Sequence, residues 1–285
     1  MTQIPFEVDL TGKVAVVTGG GGVLGSEFSK ALATCGAKVA VLGLSEEKLK
    51  KVVQDISNSG GEAIGLSVNV LERESLERAH ETILNTFGRT DILINGAGGN
   101  HPKSTTSKEF LEKEDLRNVD ELTTFFDLDP EGMRSVMDLN FLGTLIPSQV
   151  FSKDMIGHEG CTIINISSMN AYTPLTKIPV YSGAKAAVSN FTQWLAVHMS
   201  KVGIRVNGIA PGFFITSQNE KLLKTENGEF TPRAEKILNQ TPMNRFGEKQ
   251  ELVGTLLYLI DPKSSGFVNG VVIPVDGGFS AYSGV

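Results

Sequence analysis

Tyr181 and Lys185 stand four residues apart, a spacing that puts both side chains on one face of a helix. An ammonium beside a phenol favours the phenolate, so the pair predicts a tyrosine pKa lowered from about 10 toward working pH. A group that titrates there exchanges protons most effectively with a reacting oxygen. Ser168 lies 13 residues earlier (181 − 168), at the end of a β-branched run. Its hydroxyl can hydrogen-bond that oxygen and hold it beside the phenol. Taken alone, Tyr-x-x-x-Lys describes a core tyrosine and a snorkelling lysine equally well. A serine closing a strand just before it narrows the reading toward proton transfer.

A second feature is Thr18-Gly19-Gly20-Gly21-Gly22-Val23-Leu24-Gly25, set between an apolar run and the helical segment Ser26–Ala33. Glycine allows a tight turn and close approach to a pyrophosphate, and a following helix turns its unpaired amides toward that charge. Placed between the first strand and first helix, the loop predicts a dinucleotide. The acid expected at the end of the second strand, to bind the adenosine ribose, is replaced by Gly43, and the nearest cation is Lys48. NAD(H) and NADP(H) therefore both stand.

These groups need a scaffold. Seven β-branched runs, Val14–Thr18, Lys38–Leu42, Ala63–Ser67, Ile92–Asn95, Cys161–Ser167, Arg205–Ile209 and Val271–Val275, alternate with amphipathic stretches such as Ser45–Ser57, Glu72–Phe87 and Lys185–Lys201. This alternation predicts an α/β fold: a single doubly wound, Rossmann-like domain over 1–285 with a mainly parallel sheet and helices on both faces. Two polar stretches break the rhythm. The one at about 100–132 reads as a solvated insertion. The other, at about 216–243, follows a Pro-Gly corner and reads as a substrate lid.

The net charge, 26 − 32 = −6, disfavours nucleic acid and anionic membrane as partners. No apolar run is long enough to span a bilayer. The start lacks a signal pattern, and two distant cysteines, Cys35 and Cys161, suit a reducing compartment, so a cytoplasmic protein is expected. The four histidines show no metal-ligand spacing, and no metal is expected. Phe191, Trp194, Leu195 and His198 repeat at a core-like helical spacing.

Several motifs in order, Thr18–Gly25, Asn95-Gly96-Ala97-Gly98, Ser167-Ser168, Tyr181-Ser182-Gly183-Ala184-Lys185, Pro211-Gly212 and Val275-Asp276-Gly277-Gly278, resemble those of the short-chain dehydrogenase/reductases over almost the whole length. The resemblance implies an NAD(P)-dependent oxidoreductase acting on a CH–OH group, and a homo-oligomer, by family habit a tetramer. It implies a catalytic set of Asn140, Ser168, Tyr181 and Lys185, with Asn140 positioning a water that relays protons through the lysine. It implies cofactor contacts from Gly19, Gly21, Gly22, Val23, Leu24, Gly25, Asn69, Val70, Asn95, Ala97, Gly98, Tyr181, Lys185, Pro211, Gly212 and Thr216. Two positions depart from the pattern: Val23 replaces the middle glycine, and Asn69 the usual aspartate toward the adenine.

Phrases such as NGAGGNHPK, FFDLDPEGM, NISSMNAY and PLTKIP are similar to the sugar-acid branch, in particular the fructuronate reductase (D-mannonate oxidoreductase) type. This implies a hexuronate or related polyhydroxy acid as substrate, reached by Asn170 and by His101, Lys103 or Lys177 as carboxylate partners. Gluconate 5-dehydrogenase or 3-oxoacyl thioester reductase activity on the same fold remains open. So does a non-catalytic, dinucleotide-sensing role.

Overall fold

The structure is a computed structural model and describes residues 7–117, 121–215, 223–225 and 227–284. Seven strands, β1 (Val14–Thr18), β2 (Lys38–Gly43), β3 (Glu62–Ser67), β4 (Ile92–Asn95), β5 (Thr162–Ile166), β6 (Arg205–Pro211) and β7 (Val272–Val275), form one sheet in the order β3-β2-β1-β4-β5-β6-β7. Every pairing is parallel. A parallel sheet covered on both faces calls for strands that are apolar throughout. VAVVT of β1 and TIINI of β5 are mostly apolar and are buried at each position, with Thr18, Thr162 and Asn165 as the polar exceptions.

Helices α1 (Val23–Thr34), α2 (Glu46–Asn58), α3 (Arg73–Thr86), α4 (Pro130–Met137), α5 (Gly143–Phe151), α6 (Pro179–Met199), α7 (Pro232–Asn239) and α8 (Glu251–Ile260) fill the connections. The two sides of the sheet carry separate cores. One gathers Phe28, Leu32, Leu49, Leu252 and Leu256 from α1, α2 and α8. The other gathers Leu76, Ile83, Phe151 and Leu195 from α3, α5 and α6. Helix α2 shows the local logic. Ser45 accepts from the Lys48 amide, Glu46 and Glu47 occupy the positive first turn, and Leu49, Val52 and Ile56 make the buried stripe.

Strand positions match expectation within two residues. The Tyr-Lys helix starts earlier than expected, at Pro179, because Pro179 suits a first helical turn. The insertion is shorter than expected: Asp129 caps the Gly132 amide and starts α4 at Pro130. Nor is it a detached solvated loop. Ser104, Asp115 and Thr124 are buried, and the Thr106 amide donates to the Lys177 carbonyl at 2.9 Å. Among the described residues no helix is long and apolar enough to cross a membrane.

The chain order reverses where β1 meets β4, opening a crevice at the strands' carboxyl ends. Thr18, Asn95, Ile166 and Pro211 all end there. Leu256, fully buried between α8 and the sheet, tests the first core. Leu256→Ala is expected to lower unfolding stability by about 2–5 kcal/mol in a urea titration.

Candidate active site

The glycine loop is held against β4 and the start of α1. Gly19 is left-handed (φ +66°), and a Cβ on it would stand 2.7 Å from the Gly96 carbonyl oxygen. A Cβ on Gly25 would stand 2.3 Å from the Gly19 carbonyl oxygen. Thr18 ties the layers together: its hydroxyl accepts from the Gly96 and Ala97 amides at 3.1 and 3.3 Å. Gly22 caps α1 without a side chain, so the first-turn amides of Val23 and Leu24 have no partner within the helix. Val23 has simply become the first residue of α1, where no glycine conformation is needed. A Cβ on Gly21 would stand 3.2 Å from the Lys48 Cβ. A backbone cradle that any Cβ would fill, beside an uncapped helix start, fits a pyrophosphate.

The four candidate residues converge at the ends of β4 and β5. Asn140 is fully buried in a turn widened to i→i+5, in which the Gly143 amide reaches the Asp138 carbonyl. Its amide nitrogen donates to the Gly99 and Val136 carbonyls at 2.7 and 2.8 Å, and its oxygen accepts from the Gly99 amide at 3.2 Å. Lys185 is 4% exposed, and its ammonium donates to the Ile166 carbonyl at 2.8 Å. A Cβ on Gly98 would meet Asn140 Oδ1 at 2.7 Å and Lys185 Nζ at 3.1 Å, so both polar ends flank one point above that glycine.

The expected lowering of the phenol is not what the protein alone produces. Burial raises the Tyr181 pKa, and the nearby Ser168 hydroxyl offsets only part of the rise. The ring retains some exposure while its hydroxyl end is closely surrounded by protein. The Lys185 ammonium lies 5.7 Å from the ring centroid and donates one N–H to the Ile166 carbonyl. Burial also brings Lys185 down to about 8. The phenol is thus a proton donor at neutral pH, next to an ammonium that is easily discharged.

Other expected contacts are spent elsewhere. Asn95 is 1% exposed and turned inward, donating to Ser148 Oγ at 2.9 Å and Asn165 Oδ1 at 2.8 Å. It ties β4 to β5 and α5 instead of reaching the cleft. Asn69 uses its side chain on its own turn, donating to Glu72 at 2.8 Å and accepting from the Leu71 amide at 3.1 Å. Val70 is buried under Gly143. Gly212 packs so close to Asp276 that a Cβ would lie 2.5 Å from its Cα, and its amide donates to Val275. That contact fixes the corner after Pro211, whereas Thr216 lies outside the described residues.

On the substrate side, Asn170 follows Ser168 in a single 3-10 turn, Met169–Ala171. It is 4% exposed, and its Oδ1 is buried without a hydrogen-bond partner. Lys177 holds a left-handed backbone (φ 73°), pinned through its carbonyl by Thr106. His101 is occupied as a cap, its Nδ1 accepting from the Lys103 amide at 3.2 Å, and the Lys103 side chain is exposed. The described part of the expected lid, Leu223 and α7, packs with Phe246, Phe213 and Ile215 into a small core of its own. Lys236 of α7 pairs with Glu109 of the insertion.

Residues that the spacing did not flag complete the site. Ser167 donates to the Lys185 carbonyl at 3.1 Å and lies 2.7 Å from Ser189 Oγ. Asn165 donates to Thr192 at 2.9 Å. The adjacent Ser167-Ser168 pair was the one available signal.

A short-chain dehydrogenase family model matches residues 13–227. The chain belongs to the short-chain dehydrogenase/reductase family and is an oxidoreductase. A Haemophilus influenzae structure provisionally named D-mannonate oxidoreductase, with bound NAD, superposes with a TM-score of 0.93 at 58% identity, covering 97% of this chain and 98% of that one. An uncharacterised oxidoreductase of Bacillus subtilis is 51% identical over 99% of this chain and 100% of its own. The 7alpha-hydroxysteroid dehydrogenase of Escherichia coli is 30% identical over 94% of each.

Gly98→Ala tests the junction of Asn140 and Lys185. Turnover is expected to fall about 100-fold, the scale of a mispositioned catalytic group. The thermal midpoint should fall as well, since the added methyl displaces Asn140, a buried side chain held by hydrogen bonds to Gly99 and Val136.

Proposed function

We propose that this chain interconverts D-fructuronate and D-mannonate with NAD(H). The observation that carries the polyhydroxy-acid reading is Asn170 Oδ1, a buried acceptor with no partner beside Ser168. A buried acceptor left unpaired is costly, and a substrate hydroxyl is the donor that would satisfy it. Support for the hexuronate comes from the 58%-identical neighbour and its name.

The cofactor supplies or accepts a hydride at the substrate's carbonyl or carbinol carbon when bound. The glycine loop, Val23 and Leu24 would hold its pyrophosphate. Ser168 hydrogen-bonds the substrate oxygen, and Tyr181 gives that oxygen its proton as a carbonyl is reduced. A phenol raised by burial remains protonated for that task. Lys185, held by Ile166, supplies positive charge that stabilises the tyrosinate left behind. Asn140 holds the far side of the lysine's surroundings.

Lys177 is the favoured partner for the substrate carboxylate, because His101 already serves as a cap and Lys103 points to solvent. NAD(H) is favoured over NADP(H) because Glu46 and Glu47 outnumber Lys48 at the start of α2, where a 2′-phosphate would lie. The outer face of α6 supports a homo-oligomer. Trp194 is 57% and Val197 76% exposed, with Trp194 stacked on His198 at 4.7 Å, while Leu195 enters the core.

A matrix of D-fructuronate, 5-ketogluconate and acetoacetyl thioesters against NADH and NADPH tests the assignment. Fastest turnover is expected with fructuronate and NADH, and a preference for another column would replace it. Tyr181→Phe is expected to reduce kcat about 1,000-fold while NADH still binds, whereas a sensing protein would be indifferent to the change. Fructuronate reduction should be level near neutrality and decline through about pH 8 as the Lys185 ammonium is lost. Lys185→Arg should displace that decline upward in a pH–rate profile.

A further inference from the structure

The turn presenting Ser168 is short and is made of local bonds. Ser168 Oγ accepts from the Asn170 amide at 3.3 Å, and its carbonyl accepts from Ala171 at 3.0 Å. The Met169 carbonyl accepts from the Tyr172 and Thr173 amides, each at 3.0 Å. A single turn of this kind has little stability of its own. What fastens its far end is the Tyr172 hydroxyl, which donates to the Val272 carbonyl at 2.5 Å across 100 residues of sequence.

Val272 belongs to β7, the last strand of the sheet. The neighbouring Val271 carbonyl faces inward and accepts from Gly208, so by alternation the Val272 carbonyl faces the open edge. Tyr172 takes the place that a further strand would have filled. The chain beyond β7 backs this anchor. Asp276 accepts from the Gly278 and Ser280 amides at 3.0 and 2.8 Å, forming a hook. Phe279 of the hook meets Phe213 edge-on at 5.3 Å, and Thr173 Oγ1 approaches the Ser280 carbonyl at 3.4 Å.

We propose that Tyr172 is a positioning residue for the reaction, acting through Ser168 and Asn170 by tying their turn to the edge of β7. The inference rests on reading those two residues as the groups that meet substrate. Among the described residues Tyr172 makes no hydrogen bond to the glycine loop or to Lys185, so its effect belongs to the substrate side alone.

Tyr172→Phe removes one oxygen and keeps the ring. In the protein without substrate, amide exchange over residues 168–176 is expected to quicken about five-fold, the loosening that follows loss of one hydrogen bond. The kcat/KM for D-fructuronate with NADH is expected to fall about five- to ten-fold, with NADH affinity unchanged. Phe279→Ala, which cuts the hook at a different contact, should quicken exchange in the same segment. Unchanged exchange in Tyr172→Phe, or an equal loss of NADH affinity, would overturn the proposal. If the wild-type protein turns over no hexuronate, the substrate assignment fails while the exchange measurement still decides the role of Tyr172.

Discussion

Three consecutive residues, Ile166 at the end of β5 and Ser167 and Ser168 just after it, grip the helix that carries Tyr181 and Lys185. The Ile166 carbonyl accepts from the Lys185 ammonium, the Ser167 hydroxyl donates to the Lys185 carbonyl, and the Ser168 hydroxyl stands by the Tyr181 phenol. Each bond lies in a nearly dry place, where a hydrogen bond is strong and an unpaired partner is expensive. The helix therefore has one favourable register against the sheet, and that register puts phenol, hydroxyl and ammonium around one small volume. Loosening any of the three would cost geometry before it cost stability.

A second layer of polar groups sits beneath the grip. Asn95 bonds Ser148 and Asn165, and Asn165 bonds Thr192, which joins β4, β5, α5 and α6 through side chains inside an otherwise apolar core. Most of these buried polar atoms satisfy one another, Asn95 Oδ1 being the one left without a partner among the described residues, and together they favour one arrangement over its near neighbours. The same burial explains the titration behaviour. Removing Tyr181 and Lys185 from water disfavours the charged form of each, so the phenol rises and the ammonium falls toward about 8. Desolvation thus moves the two groups apart in proton affinity, the phenol holding its proton more tightly than the ammonium, whereas a direct charge–phenol contact was expected to bring the phenol down.

The glycine loop answers a different constraint, close approach of backbone to backbone. The Gly19 and Gly25 positions leave no room for a Cβ because loop, β4 and α1 meet there. Gly98 keeps clear the point between Asn140 and Lys185. One set of glycines shapes an anion cradle and the other a polar junction, and the sheet's reversal at β1 and β4 sets them side by side.

The sequence by itself determined the parallel sheet, the glycine cradle and the Tyr-Lys helix face, because periodicity and four-residue spacing are local properties of the chain. Adjacent serines and an ordered run of motifs also disclosed the family. Only the tertiary structure decided that Asn95 faces the core, that Asn69 and His101 are consumed by their own turns, and that Lys185 bonds a carbonyl beside the ring. It alone joined Tyr172 to Val272 and Thr106 to Lys177. Those outcomes depend on which distant group fills each hydrogen-bonding site first and on how much water remains around it. Both are set by packing between segments far apart in the chain, and residue type does not encode them one position at a time.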